Sequence, residues 1–227
     1  MAGLALEARG LLRGLGPAAR RELTVRVVGP RAAVLDRLDV SQIVPAPTAL
    51  LVAGLSGACA PDLRTGDVLV GDPVGFPGAA RADDGGDPWL RRRAIRALDA
   101  AGLRYRVGRL LTVDEVVTTP AAKSAWSRTE GALAVDMESA HVLVWARRAG
   151  LPAVTVRAIT DGLEDEVPRE LLDAVGPDGR MRPWDAARLL GRPSLLAAAW
   201  RLGRRSQRAL GNLACFLRAF VDVPSEP

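Results

Sequence analysis

Two carboxylates, Glu138 and Asp161, bracket a stretch that reads as one helix followed by one strand. Glu138 lies in Ala134-Val-Asp-Met-Glu-Ser-Ala140, where an apolar run turns into a helix. Asp161 lies in Val154-Thr-Val-Arg-Ala-Ile-Thr-Asp-Gly162, where a buried strand runs out into a glycine-containing loop. Carboxylates at strand ends face the crevice where open α/β sheets bind ligands. Two of them in different surroundings can divide the work, one ionised and the other holding a proton. That division suits breaking a bond to a sugar, where positive charge grows on the ring and negative charge on the departing group. Taken singly, Glu138 would more simply cap a helix and Asp161 hold a turn.

Three further clusters hold residues of useful type. Val52 to Asp67 reads as a buried strand leading into a small-residue loop at Gly54 to Gly57, whose backbone amides could form an anion nest. Glycine also serves ordinary tight turns there. Thr112-Val-Asp-Glu-Val-Val117 reads as a strand end with an acidic cap. Gly3 to Arg9 carries Glu7 and Arg9 on a first helix. The single histidine, His141, falls one turn past Glu138 and reads as a satisfied helix residue. One histidine and two separated cysteines, Cys59 and Cys215, do not make a transition-metal site.

The elements that must position these groups follow from apolar patterning. Val/Leu/Ile-rich strands are expected near 24–28, 49–54, 67–71, 107–113 and 153–159, several as continuous apolar runs buried on both faces. Helices are expected near 4–15, 88–101, 138–149, 169–175 and 194–220. Gly150 past the helix end, with Arg147 and Arg148 in its last turn, gives a stop signal. Gly71 to Pro88 reads as a long loop. Strands alternating with helices give a single α/β domain over 1–227, a central mixed sheet flanked by helices.

The 227 residues are 48% apolar, enough for a core, and carry a net charge of +5 from 31 basic and 26 acidic residues, with Arg far ahead of Lys. A basic excess admits nucleic acid, membrane surface or an anionic substrate. No nucleic-acid motif accompanies it, so a nucleic-acid partner is not expected. The cysteines form no disulfide pattern and point to a reducing compartment. Glu7 and Arg9 break the apolar N-terminus before a signal-like core forms, and the run Ala49 to Ala60 is too short to span a membrane. The chain is therefore expected in the cytoplasm.

The Val-Asp-Met-Glu-Ser-Ala and Val-Arg-Ala-Ile-Thr-Asp blocks, in this order and spacing, resemble those of the purine nucleoside phosphorylase and methylthioadenosine/S-adenosylhomocysteine nucleosidase superfamily, with Thr160 where that family has Ser. Pro61, Leu63, Gly66 and Asp67 resemble its Pro-x-Leu-x-x-Gly-Asp pattern. The resemblance implies that Asp161 gives a proton to N7 of a departing purine, and that Glu138, beside Met137, binds the ribose hydroxyls. It implies that Ser56 and Gly57 hold phosphate or the attacking water, and that Val116, Val117 and Thr160 line the purine pocket. Val116 falls where relatives stack an aromatic ring; Phe76 or Trp126 is then the source of any stacking. Glu7 orients water or sugar and Arg9 binds phosphate in the same reading; otherwise they are a solvated pair. No cofactor and no metal are implied, with inorganic phosphate as co-substrate if the reaction is phosphorolysis. Relatives imply a homo-oligomer.

From about 176 to 220 the chain carries a basic amphipathic extension. Arg201, Arg204, Arg205 and Arg208 alternate with Leu195, Leu202, Leu213 and Phe216 at helical spacing, with Trp200 among the arginines. Its apolar stripe packs on the sheet as a last helix, or its arginine face meets a membrane as a peripheral contact. Together with Gly176 to Arg182 it resembles the hopanoid-biosynthesis-associated branch, which implies adenine release from adenosylhopane, a lipid-linked nucleoside. The competing readings are a methylthioadenosine/S-adenosylhomocysteine nucleosidase and, in another class, a basic binding module without catalysis.

Overall fold

The computed structural model describes residues 8, 15, 23–29, 32–39, 43, 46–78, 86–173 and 192–224. Five strands form the frame: β1 (Leu50–Ala58), β2 (Val68–Gly75), β3 (Tyr105–Thr112), β4 (Ala134–Asp136) and β5 (Ala153–Asp161). The helices are α1 (Pro88–Ala100), α2 (Pro120–Glu130), α3 (Ser139–Arg148), the short α4 (Arg169–Asp173) and α5 (Pro193–Asp222). The strand order is β1-β4-β3-β2-β5, and β5 returns to β1, so the mixed sheet closes into a barrel. β1 runs parallel to β5, whereas β4 runs against β1 and β2 against β5.

Alternation along the strands sorts the core into two faces. Val154, Val156 and Ala158 of β5 and Val68 and Val70 of β2 meet Leu90, Ala94, Ala97 and Leu98 of α1 and Leu213, Phe216 and Phe220 of α5. Ile159 and Leu69, one position out of phase, meet Val142, Leu143 and Ala146 of α3 together with Val52 and Leu110. Each fully buried Val, Leu, Ile or Phe among these contributes about 1.5–3 kcal/mol of hydrophobic stabilisation. All nine residues of β5 are buried, which fits its Val- and Ile-rich reading, while Thr155, Arg157, Thr160 and Asp161 are its buried polar members.

Local signals fix the helix starts. Asp87 caps α1 by accepting from the Leu90 amide at 2.8 Å, with Pro88 in the first turn. Thr119 caps α2 through the Ala122 amide at 3.3 Å, followed by Pro120. Gly131 ends α2 at φ 66°, a conformation glycine takes without steric cost.

Several expectations need correction. The sheet is closed, so the carboxylates do not share the crevice of an open sheet. Gly54 to Gly57 is not a loop but the continuation of β1, paired to β5 and, at Gly57, also to β4. The segment is therefore part of the sheet, with a register shift between Ser56 and Gly57, and not a glycine loop leading out of it. β2 extends to Gly75, shortening the loop expected from Gly71. Residues 24–28 form no continuous strand, only an isolated bridge at Val27. β4 and α2 were not expected. Within 4–15 only Ala8 and Leu15 are described, and Glu7, Arg9 and the segment Gly176 to Arg182 lie outside the described residues.

Candidate active site

Asp161 ends β5 and is 7% exposed. Its two carboxylate oxygens have different partners. Oδ2 accepts from Lys123 Nζ at 2.5 Å, and Oδ1 accepts from the Thr160 hydroxyl at 2.6 Å. The same hydroxyl lies 3.2 Å from the Ser56 carbonyl oxygen, so its one proton has two acceptors within reach. Lys123 comes from α2, is 0% exposed, and gives its remaining donors to the carbonyls of Gly162 (2.8 Å) and Asp165 (2.7 Å). A buried charge persists when it is paired and hydrogen-bonded, and all three ammonium protons here have an acceptor.

Gly57 pairs with Asp161 on one side and Val135 on the other. A Cβ on Gly57 would lie 3.1 Å from Asp161 Oδ2, so the missing side chain is what lets the carboxylate settle against β1. The register of β1 on β5 shifts between Ser56 and Gly57, a local irregularity beside the acid. Ser56 is buried, and its hydroxyl has no hydrogen-bond partner among the described residues. A buried unpaired hydroxyl is costly unless something else satisfies it, which fits a ligand contact.

Glu138 stands at the N-terminus of α3, 9% exposed, without capping it by its side chain. Arg157, 1% exposed and four residues before Asp161 on β5, lies 3.6 Å from Glu138 Oε2 and 2.6 Å from Asp136 Oδ2. Its Nε donates to Ser139 Oγ at 3.0 Å. Asp136 also accepts from the Thr112 hydroxyl at 2.7 Å and from the Ser139 amide at 3.2 Å. A carboxylate at a helix N-terminus is favoured by the helix dipole as well. Because β4 runs against β1, Glu138 departs from Val135 toward the level of Arg157 rather than toward Asp161. Strand β5 therefore serves both carboxylates, one by ending in Asp161 and the other through Arg157.

The remaining residues singled out in the sequence are placed as follows. Met137 is half-buried between β4 and α3. Val116 and Val117 lie in the turn after β3, Val116 45% exposed and Val117 packed on the group of Cys59, Leu111, Val113 and Val135. Trp126 packs on that same group, and Phe76 meets His141 edge-on at 4.8 Å between ring centres. Asp67 holds its own turn through the Arg64 amide at 2.9 Å. Burial pushes the Cys59 thiol up to about 12, with smaller influences from the Lys123 charge, which lowers it, and the Asp161 charge, which raises it. No cluster able to hold a metal ion occurs among the described residues. A cavity of about 530 Å³ at the start of β1 is lined by Leu50, Trp89, Arg93 and Phe220 and contains neither carboxylate.

Four residues of this assembly escaped the sequence reading: Lys123, Arg157, Asp136 and Ser139. One signal was available. Lys123 is the single lysine of a chain whose other 30 basic residues are arginine.

The model of the phosphorylase superfamily matches residues 30–183, and the chain belongs to that family of nucleoside phosphorylases and nucleosidases. A search of curated proteins gives no match. Among solved structures, the chain is similar to futalosine hydrolase of Helicobacter pylori, at 15% identity and TM-score 0.66 over 97% of this chain and 95% of that one. It is similar to the 5′-methylthioadenosine/S-adenosylhomocysteine nucleosidase of Neisseria meningitidis, solved with methylthio-immucillin-A, at 16% identity and TM-score 0.67 over 97% and 96%. The corresponding nucleosidase of Helicobacter pylori, with butyl-thio-DADMe-Immucillin-A, aligns at 15% identity and TM-score 0.66 over 97% and 95%. These likenesses establish the shared fold.

Proposed function

We propose that this protein cleaves the N-ribosidic bond of a purine nucleoside, with Asp161 as the acid for the leaving base and Glu138 as the ribose carboxylate. The observation that carries the reading is the service of both carboxylates by β5, which ends in Asp161 and reaches Glu138 through Arg157. As the bond breaks, the acid offsets charge on the base while Glu138 supports the electron-poor sugar. Met137 sits beside the ribose, and Val116, Val117 and Thr160 border the base. Ser56, through its unpartnered hydroxyl, and Gly57 meet the nucleophile, either water or phosphate. Glu7 and Arg9 assist it from the first segment. No cofactor takes part.

The substrate we propose is adenosine carrying a triterpenoid at its 5′ carbon, adenosylhopane, so that the enzyme releases adenine in hopanoid biosynthesis. What supports this is the sequence resemblance of the C-terminal part and the surface of α5, where Trp200 is 63% exposed beneath Arg204. An apolar ring next to cations suits the cytoplasmic face of a lipid layer. No described helix is long and apolar enough to cross a membrane. In this reading the enzyme is a cytoplasmic homo-oligomer touching the membrane peripherally.

The test is incubation of the purified protein with methylthioadenosine, S-adenosylhomocysteine and a 5′-lipid-linked adenosine, each with and without phosphate, followed by identification of the sugar product. Preferential adenine release from the lipid-linked compound supports the proposal. Preference for the thioethers makes it a methylthioadenosine/S-adenosylhomocysteine nucleosidase. Release from none of them, together with steeply salt-dependent binding to DNA or anionic vesicles, makes it a binding module instead. Asp161→Asn is expected to remove most turnover, and Glu138→Gln to weaken ribose binding.

A further inference from the structure

A general acid must hold a proton when the leaving group departs, yet both oxygens of Asp161 act as acceptors here. Oδ2 takes a proton of Lys123 at 2.5 Å and Oδ1 that of Thr160 at 2.6 Å. The nearest proton that can be surrendered is the one on Lys123. Its other two N–H groups are held by the Gly162 and Asp165 carbonyls. Loss of the third therefore leaves a neutral amine with both remaining donors satisfied. Thr160 can turn from Oδ1 to the Ser56 carbonyl at 3.2 Å and release that oxygen for the base.

The residue type is informative. At 30 positions this chain uses arginine, and at one it uses lysine. Arginine pairs with carboxylates as well as lysine or better, but it does not give up its proton in proteins. A site needing only a positive charge could use the residue the chain uses everywhere else.

We propose that Lys123 is a positioning residue that acts through Asp161 by supplying the proton for the leaving purine. This rests on the reading of Asp161 as the acid. The Lys123 N–H bond breaks and an Asp161 O–H bond forms. Once Thr160 has released Oδ1, the carboxyl turns about its Cβ–Cγ bond and carries the Oδ2 proton to a ring nitrogen of the base as the C–N glycosidic bond breaks and its electron pair stays with the base. The sugar is captured by water or phosphate. Lys123, left as a neutral amine, is reprotonated from solvent when the products leave.

The experiment compares Lys123→Met, Lys123→Arg and Asp161→Asn with the wild-type chain. The probes are methylthioadenosine and 4-nitrophenyl riboside, whose nitrophenolate departs without needing a proton. For Lys123→Met and Lys123→Arg alike, kcat on methylthioadenosine is expected to fall about 100-fold or more, with KM within about 3-fold. Turnover of the nitrophenyl riboside is expected to stay within a few-fold wherever the wild type turns it over. Restoration of purine turnover by arginine would show that charge alone suffices and overturn proton supply. Retention of wild-type kcat in Lys123→Met, or equal loss of both substrates, also overturns it. Should Lys123→Arg fail to fold, the Met variant decides. Failure of the underlying reading looks different: Asp161→Asn then keeps wild-type turnover, or the wild type itself releases no base from methylthioadenosine, adenosine or a lipid-linked adenosine.

Discussion

Arg205, on α5, donates to Asp165 Oδ1 at 2.7 Å, and through Asp165 the last helix grips the turn that follows the acid. Asp165 Oδ2 accepts from the Gly162 amide at 2.8 Å, and its carbonyl accepts from Lys123. Arg205 and Asp165 are both about a third exposed, so the pair adds little stability, within about 1 kcal/mol. Its effect is on geometry. Arg205→Ala is expected to leave the melting temperature nearly unchanged and lower kcat roughly 3- to 10-fold, since small misplacements at reacting groups are costly. Steady-state kinetics beside thermal unfolding check this; a large loss of stability without a kinetic effect would contradict it.

Gly57→Ala tests the contact behind the acid. The new methyl would sit 3.1 Å from Asp161 Oδ2, tighter than ordinary packing, and the carboxylate is the group able to give way. Turnover is expected to drop about 10- to 100-fold by displacement of the acid. Unfolding in urea should show a change of no more than about 1–3 kcal/mol.

Neutralising one member of the Lys123–Asp161 pair leaves the other charge buried. Lys123→Met is expected to cost about 3–5 kcal/mol, whereas Lys123→Met with Asp161→Asn should recover a good part of that loss. Chemical denaturation of the two single variants and the double variant reads the coupling directly. Strict additivity would mean that the ion pair is not formed in solution.

Thiol chemistry separates the two cysteines. With its thiol pushed up to about 12 and its side chain buried, Cys59 should stay unmodified by iodoacetamide at pH 8, while the half-buried Cys215 reacts. The native protein is expected to take up one label and the denatured protein two. The same shift has a sign for stability. The folded state holds the Cys59 proton more tightly than the unfolded chain, so its contribution is complete below about pH 9 and is lost as pH rises toward 12.

The sequence was most legible where one pattern governs a whole element. The Val- and Ile-rich pattern of β5 placed Asp161 at a strand end, and the change from an apolar run to a helix placed Glu138 at a helix start, as found. β4 was missed because three residues carry no usable period. α2 was missed although Thr119-Pro120 and Gly131 mark its limits, since its apolar face is weak and its one buried residue is Lys123. Arg157 and Asp136 are 21 residues apart, and Lys123 and Asp161 are 38 apart. Such pairings follow from barrel closure and leave no trace in local spacing. Gly54 to Gly57 misled in the opposite direction: its glycines suggested a loop, whereas Gly57 lies within a strand paired on both sides and close against Asp161.

A protease that cuts only after lysine finds one target bond in this polypeptide, at the end of the first turn of α2. In the native protein that bond is sealed, because the Lys123 side chain has no exposed surface. Cleavage into two fragments would therefore time the moments when α2 opens away from β5, an internal clock for the breathing of the catalytic acid's surroundings.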